Sequence, residues 1–316
     1  MQKKQIMPPM VQNARIVFMG TPDFAVASLN ALLSAGCNVV AVVTAPDRPS
    51  GRGLQLVSSA VKAAAQAANL PVLQPEKLRD PVFLDELRSY NADLQVVVAF
   101  RMLPEVVWAM PHIGTFNLHA SLLPQYRGAA PINWAVMNGE TETGVTTFFI
   151  EKDIDTGQLI FQETEFITPD DTAGTLHDRL MQRGAALVVK TVRAIEAGDY
   201  PRIPQVPDDE PKHALKLFRD NTEINWNQSA SAVRNFVRGL TPFPTAWTVI
   251  NGRSFKIYGV SVANESPFVA DPGQAFTDKK TKILVRAADG WVSIDELQAE
   301  GKRRMTAGDF LRGNDL

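Results

Sequence analysis

The residues with the clearest capacity for chemistry are Asn117 and His119, followed downstream by Asp155. Asn117 and His119 are two positions apart, so on an extended strand both side chains point to the same side. Asp155 belongs to a separate Asp-Thr-Gly segment, about one crossover or hairpin further along the chain. An amide can donate a hydrogen bond to an oxyanion, an imidazole can transfer a proton, and a carboxylate can fix the imidazole tautomer. Together the three groups indicate an acyl-transfer site.

The same residues also allow a purely structural interpretation. A histidine beside an apolar strand is more often structural than catalytic, and Asp-Thr-Gly is typical of a turn. The sequence after His119 favours the chemical interpretation, because residues 121–131 contain two prolines, a glycine and an arginine and so predict a shaped loop. Loops that follow strand ends are where α/β proteins bind ligands. A covalent mechanism lacks a candidate nucleophile, since the single cysteine is Cys37 and no Gly-x-Ser-x-Gly elbow occurs.

The elements that must position these residues are alternating strands and helices. Apolar runs predict strands at 15–20, 38–44, 71–73, 94–100 and 114–118, and helical periodicity predicts helices at 24–34, 60–68, 81–90 and 104–110. Thr21 or Asp23 is the expected cap of the first helix, and residues 45–59 are expected to form a loop. The alternation predicts an α/β fold with a doubly wound, mostly parallel sheet covered by helices on both faces. An antiparallel pair at 144–150 and 157–165 and a long helix at 172–197 complete this half.

The composition changes at residues 199–211, DYPRIPQVPDDEP, which are rich in proline and acid and lack periodicity. This stretch predicts a linker. Beyond it, a helix at 230–239 and short strands at 245–250, 254–261, 274–277, 282–286 and 290–296 indicate a small β-barrel. We therefore expect a flexible lead-in at 1–14, a catalytic domain at 15–198, the linker at 199–211 and a barrel domain at 212–316.

The composition of the whole chain excludes several classes of protein. Its 316 residues are 45% hydrophobic and 21% charged, with a net charge of −2, so no overall basic field points to nucleic acid. A single cysteine is typical of the reducing cytoplasm, and four histidines without HExxH or CxxC spacing argue against a zinc site. No apolar run approaches the roughly 18–20 residues of a membrane span, and the N-terminus lacks the apolar stretch of a signal peptide. We expect a cytoplasmic protein without metal or membrane partner.

Seven segments carry a resemblance to a known family: FMGTPDFA at 18–25, PDRPSGRG at 46–53, NLHASLLPQYRGAAPI at 117–132, DTG at 155–157, INW at 224–226, RGLTPFPTAW at 238–247 and GKRRM at 301–305. From about residue 15 to its end, the chain resembles the methionyl-tRNA formyltransferases, which belong to the folate-dependent formyltransferases. The long segment at 117–132 is specific to the whole group. The segments at 18–25 and 46–53 and the three C-terminal segments select the tRNA enzymes within it.

The resemblance implies a Rossmann-like N-terminal domain and an OB-fold C-terminal barrel that holds tRNA. It implies formyl transfer from 10-formyltetrahydrofolate to the α-amino group of methionine on initiator Met-tRNA, a step needed for translation initiation. No nicotinamide is expected, because Gly20-Thr-Pro-Asp lacks the Gly-x-Gly-x-x-Gly pattern. The protein is expected to act as a monomer.

The resemblance also implies roles for individual residues. Asn117 and protonated His119 stabilise the tetrahedral oxyanion, while Asp155 orients His119 and assists proton transfer. Folate binding is implied for two groups, the backbone of the central strand and the loop after it (Val97, Val98, Ala99, Phe100 and Leu103) and the loop after His119 (Ser121, Leu122, Leu123 and Pro124). Contact with tRNA is implied for five cations: Arg52, Lys216, Arg238, Lys302 and Arg303. The chain departs from the family at 54–55, where Leu-Gln stands and many members carry lysines.

Three other interpretations stay open on the sequence. A formyltransferase that acts on a small amine, such as a nucleotide sugar, would use the same Asn117, His119 and Asp155. The hydrolase domain of a folate dehydrogenase would continue into a large dehydrogenase domain. A noncatalytic RNA-binding protein with a Rossmann-like module and a barrel would have no use for the intact triad. Two arginines also stay open: Arg101 could contact folate or solvent, and Arg127 could bind substrate or pair structurally within its loop.

Overall fold

A computed structural model describes residues 11–50, 55–206 and 210–316. By its internal contacts the chain divides into two compact units. The first consists of Met1–Arg127, Gly144–Glu165 and Asp178–Lys212, and the second of Gly128–Thr143, Phe166–His177 and His213–Leu316.

The first two thirds of the chain contain ten strands and six helices among the described residues. The strands are β1 (Ile16–Gly20), β2 (Val39–Val43), β3 (Arg48–Ser50), β4 (Gln55–Val57), β5 (Val72–Leu73), β6 (Leu94–Val98), β7 (Gly114–His119), β8 (Arg127–Gly128), β9 (Glu142–Phe149) and β10 (Leu159–Phe166). The helices are α1 (Asp23–Ser34), α2 (Ala60–Ala67), α3 (Pro81–Ser89), α4 (Glu105–Trp108), α5 (Pro131–Met137) and α6 (Ala173–Ala197).

Seven of these strands form one sheet in the order β10-β9-β7-β6-β1-β2-β5. From β5 to β7 all neighbours are parallel, and β9 runs antiparallel to β7. Strands β1 and β6 are buried at every residue, which explains why they read as unbroken apolar runs. The predicted Rossmann-like, mostly parallel sheet is confirmed. The strand order reverses at β1, and in such sheets ligands bind at the carboxyl ends of the strands beside that point.

Three local features differ from the sequence predictions. The predicted loop at 45–59 contains the antiparallel pair β3–β4. Neither Thr21 nor Asp23 caps α1, because the residue at the cap position is Pro22, which offers no side-chain acceptor. Helix α5 was not predicted, although Pro131 stands at its start, where a missing N–H costs nothing.

The second unit contains a curled antiparallel sheet of a small barrel domain, as predicted. Its strands are β12 (Ala246–Ile250), β13 (Arg253–Ala263), β14 (Ala275–Thr277), β15 (Ile283–Arg286), β16 (Trp291–Ala299) and β17 (Met305–Thr306). The unit also contains α5 and, after residue 212, β11 (His213–Ala214), a 3-10 turn (Arg219–Asn221), α7 (Ala230–Leu240) and α8 (Ala307–Leu311). The sheet order is β12-β13-β16-β15-β14, and β17 pairs with β16. An irregularity in β13 beside Gly259 shifts its register against β16, which lets the long strand bend.

The core of the second unit explains the INW segment. Ile224 and Trp226 are buried, and the Trp226 indole N–H donates to Thr248 Oγ1 at 2.9 Å. Phe255 and Phe310 pack edge to face with ring centroids 5.6 Å apart. Ile224 and Trp226 are therefore residues of this core, where an indole is tolerated because its N–H has a partner.

The predicted linker at 199–211 forms no regular element among its described residues, but it is closely attached to the first unit. Ile203 and Leu159 exchange two backbone hydrogen bonds of 2.8 and 3.0 Å, and the Tyr200 ring lies 5.8 Å from that of Phe149. Tyr200 and Ile203 each precede a proline, which favours an extended backbone. The prolines thus hold this segment in the conformation that a strand edge can pair with.

Candidate active site

Asn117 and His119 lie at the carboxyl end of β7, in the middle of the sheet. Asn117 is in register with Val97 of β6 on one side, and His119 with Thr146 of β9 on the other. Both flanking strands hold the β7 backbone, so the two side chains emerge on one side of the sheet in fixed positions. Asn117 is half-buried, and within the described part of the chain its amide has no hydrogen-bond partner. The amide is therefore available to a ligand.

The His119 imidazole is buried, and each of its nitrogens faces an oxygen. Nε2 donates to the carbonyl oxygen of Tyr126 at 2.8 Å. Because a carbonyl only accepts, Nε2 carries a hydrogen in both the neutral and the charged ring. Nδ1 lies 3.9 Å from Oδ2 of Asp155, and this is the nitrogen that can gain or lose a proton. The structure thus brings His119 and Asp155 together from separate segments, as the sequence predicted.

Asp155 stands in a tight turn that only a few residue types accept. Its φ is +54°, in the left-handed region that aspartate tolerates better than most side chains. Gly157 follows, and a Cβ there would lie 1.7 Å from the carbonyl oxygen of Phe149. Asp-Thr-Gly is therefore both a turn and the support of a partly buried carboxylate, so the two interpretations of this segment are compatible.

Gln205 holds that turn, and sequence reasoning missed it. Its Nε2 donates to the carbonyl oxygens of Asp155 and Gly157 at 2.9 and 2.8 Å. Its Oε1 accepts from the Arg127 guanidinium, at 3.2 Å from Nε. The only signal in the sequence is an uncharged polar residue in a proline-rich stretch, which is too common to indicate a role. The contacts also answer the question left for Arg127, which pairs within the protein.

The loop after His119 is held by the two antiparallel strands. Thr146 Oγ1 donates to the Ser121 carbonyl at 2.6 Å and accepts from Leu123 N at 3.3 Å. Gln162 Nε2 donates to the Leu123 carbonyl at 2.9 Å. The Ser121 hydroxyl is buried and donates to the Gln125 carbonyl at 2.7 Å. Ser121 and Leu123 therefore shape the loop from within, while Leu122 and Pro124 are partly exposed.

Around the end of β6, most of the side chains proposed to bind folate are buried. Val97, Val98 and Leu103 are buried, and Val97 and Leu103 belong to the core of the sheet. Ala99 is exposed with a φ of +48°, and Phe100 is half-buried. The chain turns just after the strand, at the exposed Ala99. The expectation that folate binds against the backbone here stays a prediction.

The Arg101 side chain forms hydrogen bonds within the protein. Its guanidinium donates to the carbonyl oxygen of Glu76 at 2.8 Å and to that of Pro75. Burial, and then the charge of Arg48, lower the pKa of the Arg101 guanidinium from its ordinary value. Both contacts join the loop after β6 to the segment after β5.

The predicted tRNA contacts differ in their availability. Lys216, Lys302 and Arg303 are exposed. Arg238 is half-buried and donates to the carbonyls of Thr168 and Asp171 at 3.2 and 2.9 Å, and burial lowers the pKa of its guanidinium. Arg238 therefore stabilises the second unit through these two hydrogen bonds. The fifth residue, Arg52, lies outside the described residues.

The described residues offer neither a metal site nor a membrane-spanning helix. They contain no cluster of three or more histidine, cysteine, aspartate or glutamate side chains arranged to hold a metal ion. Across the same ranges, every helix falls short of the length or the apolar character that crossing a membrane requires.

The sequence matches two families along most of its length. Residues 14–192 match the family described as Formyl transferase, and residues 216–315 match Formyl transferase, C-terminal domain. The methionyl-tRNA formyltransferase of Azobacteroides pseudotrichonymphae is 52% identical over 311 residues, which are 95% of this chain and 96% of that protein. That of Parabacteroides distasonis is also 52% identical over 311 residues, covering 96% of each.

Solved structures share the fold at lower identity. An N-formyltransferase from Helicobacter canadensis, in complex with folinic acid and dTDP-3-aminofucose, has a TM-score of 0.67 at 21% identity, over 92% of this chain and all of that one. HypX from Aquifex aeolicus, in complex with tetrahydrofolic acid, has a TM-score of 0.62 at 19% identity, over 96% of this chain and 48% of that one. At these identities the likeness concerns the fold alone.

Proposed function

We propose, for a chain that belongs to the methionyl-tRNA formyltransferase family, that Asn117, His119 and Asp155 carry out its reaction. The protein formylates Met-tRNA, and a formyl-tetrahydrofolate is its cosubstrate. We propose which residues act, which tRNA is the acceptor and in which oligomeric state the protein works.

The observation that carries the site assignment is the pairing of the His119 Nδ1 with the Asp155 carboxylate, 3.9 Å apart at the carboxyl edge of the sheet. The Asp155 carboxylate can accept a hydrogen bond from a proton on Nδ1, and the bond from Nε2 to Tyr126 sets the orientation of the ring. His119 can therefore accept a proton at Nδ1 and share it with Asp155. This is the property required of a group that removes the proton of an attacking amine.

Bound 10-formyltetrahydrofolate supplies the formyl group that is transferred. The Asn117 amide donates a hydrogen bond to the formyl oxygen, which gains negative charge as the methionine amine adds. Once His119 has taken the amine proton, its positive charge stabilises the same oxygen, and Asp155 stabilises the charged imidazole. The bond between the formyl carbon and the folate nitrogen then breaks, His119 returns the proton to that nitrogen, which leaves as a neutral amine, and the formyl group stays on the methionine nitrogen. The exposed backbone around Ala99 and the loop from Ser121 to Pro124 are the proposed folate contacts.

We further infer that the acceptor is initiator Met-tRNA, and that the protein acts as a monomer in the cytoplasm, where aminoacylated tRNA is used. Lys216, Lys302 and Arg303 are exposed cations that can contact tRNA phosphates, and Arg52 and Arg238 complete the proposed set.

The test compares formyl transfer from 10-formyltetrahydrofolate to initiator and elongator Met-tRNA. His119→Ala should lower kcat about 10²- to 10⁴-fold, because general acid–base catalysis contributes that much. His112→Ala is the matched control, since the side chain of His112 is 65% exposed and lies outside the site.

Transfer confined to the initiator and lost in His119→Ala supports the proposal. Equal transfer to both tRNAs removes the proposed selectivity. Transfer to a small amine such as an amino sugar, without transfer to tRNA, contradicts the function itself.

A further inference from the structure

We infer that a pocket of the second unit binds an unpaired nucleotide of the tRNA substrate. The pocket has a volume of about 580 Å³, and its lining includes Phe218, Arg219, Phe243, Trp247, Lys256 and Glu300. Its volume lies within the range of about 300–1,000 Å³ typical of ligand sites. The inference rests on the proposed function, because it names a binding site for the same substrate.

The aromatic rings of the pocket are placed for stacking. Phe218 is 56% exposed and Phe243 is 80% exposed, although the unit has an apolar core that could have taken them in. The Trp247 indole N–H donates to the Arg219 carbonyl at 2.8 Å, so the polar edge of the ring is satisfied. The three rings line the pocket, and every nucleobase has a flat face that can stack on an aromatic ring.

Cations lie over two of the three rings, and a third cation lines the pocket. The Arg219 guanidinium lies 4.7 Å from the centre of the Trp247 ring, and the Lys216 ammonium lies 5.1 Å from that of Phe218. Lys256 is exposed on the pocket wall. Among the described residues, none of these three cations forms an ion pair with a carboxylate. They are therefore free to contact phosphate, which releases counterions and favours binding at low salt.

The combination of groups selects a nucleotide over other occupants. An apolar peptide would cover the rings and leave three cations without partners, at a cost in desolvation. A nucleotide supplies both a flat ring and a phosphate. Glu300, the only carboxylate in the lining, can accept a hydrogen bond from the exocyclic amine of a base. A base-paired helix offers no free base face, so the nucleotide must be unpaired, as in a tRNA loop or single-stranded end.

Phe243→Ala tests the inference, and two measurements are needed. We expect the KM for Met-tRNA to rise roughly fivefold to a hundredfold, the loss that removing one stacked base brings, with unchanged kcat and unchanged KM for 10-formyltetrahydrofolate. Filter binding of uncharged tRNA should weaken by the same factor. Lys256→Gln should weaken binding and reduce the slope of log K against log salt by about one.

Phe166→Ala is the matched control, because Phe166 is 71% exposed and does not line the pocket. The inference is overturned if Phe243→Ala binds uncharged tRNA as tightly as Phe166→Ala does. It is also overturned if Lys256→Gln leaves the salt slope unchanged. The binding arm does not depend on turnover. A wild-type protein that fails to formylate Met-tRNA contradicts the proposed function, while the difference between Phe243→Ala and Phe166→Ala still decides the pocket.

Discussion

The side chains at the carboxyl edge of the first unit's sheet differ from those in the pocket of the second unit in burial and in the number of their partners. At the sheet edge, His119 is 6% exposed, both ring nitrogens face specific oxygens, and Gln205 holds the turn that carries Asp155. In the pocket, Phe243 is 80% exposed and Lys256 has no ion-pair partner among the described residues.

The difference reflects what each region has to do. A group that transfers a proton or stabilises a developing charge acts best when its orientation is fixed before the substrate arrives. A group that binds a nucleic acid acts through exposed ring faces and charges, which the partner itself orders. The first region should therefore control kcat and the second should control the KM for tRNA. The following predictions test that division.

The largest effect in this series is expected at Asn117. Asn117→Ala should lower kcat about 10²- to 10³-fold, because it removes a donor to the formyl oxygen, and should leave the KM for Met-tRNA near that of the wild type. Steady-state formylation with both substrates varied measures this. Asn117→Asp keeps the size of the side chain but removes the N–H donors, so it should be at least as damaging. A rise in the KM for tRNA without a fall in kcat would break the comparison.

A smaller effect is expected at Gln205. Gln205→Leu removes the hydrogen bonds to the carbonyls of Asp155 and Gly157, so the turn can shift and kcat should fall roughly tenfold to a hundredfold, with both KM values unchanged. Val206→Ala is the control, because Val206 is the next residue and is 76% exposed.

A double-mutant cycle shows whether Gln205 acts through Asp155. In an Asp155→Asn background, Gln205→Leu should cost little more, since the carboxylate that it positions is already lost. Additive losses in kcat would mean that Gln205 has another role.

The smallest effect concerns Glu165, which lies in the first unit but away from the site. Burial raises the pKa of its carboxyl, yet hydrogen bonds from Arg183 and Arg179 outweigh burial and hold the pKa below its ordinary value. Glu165→Gln should reduce the free energy of unfolding by on the order of 1 kcal/mol near pH 7, because both arginines are partly exposed and solvent screens the pairs. Its kcat should stay at the wild-type value.

The pH dependence of that loss follows from the lowered pKa. The folded state binds the Glu165 proton more weakly than the unfolded state, so the stabilisation is complete above the unfolded pKa of about 4.3 and is lost as the pH falls through the folded value. Urea unfolding at pH 7 and below pH 4 should show the difference between wild type and Glu165→Gln shrinking in acid. Glu142→Gln, at an exposed strand end, is the control. A difference that grows in acid, or a fall in kcat, would contradict this assignment.

Much of the fold could be predicted because its signals are local. The apolar runs IVFMG and LQVVV form buried strands. Ser59 and Asp80 each precede a helix, and their side chains accept hydrogen bonds from its first N–H groups. The placement of Asn117 and His119 on one side of a strand end follows from a period of two. The resemblance to formyltransferases came from contiguous segments, which a single sequence displays in full.

The remaining features depended on which distant segments meet. Gln205 lies 50 positions from the Asp155 carbonyl that it binds, and Arg238 lies 67 positions from the carbonyl of Asp171. Neither residue type nor spacing identifies such partners, because a hydrogen bond forms only where the folded backbone brings a donor to an unpaired acceptor. The sequence by itself therefore determined most of the strands and helices and the candidate residues of the site. Only the tertiary structure decided which nitrogen of His119 faces Asp155, what holds that aspartate and which cations stay free, because burial and hydrogen bonding are properties of the packed chain.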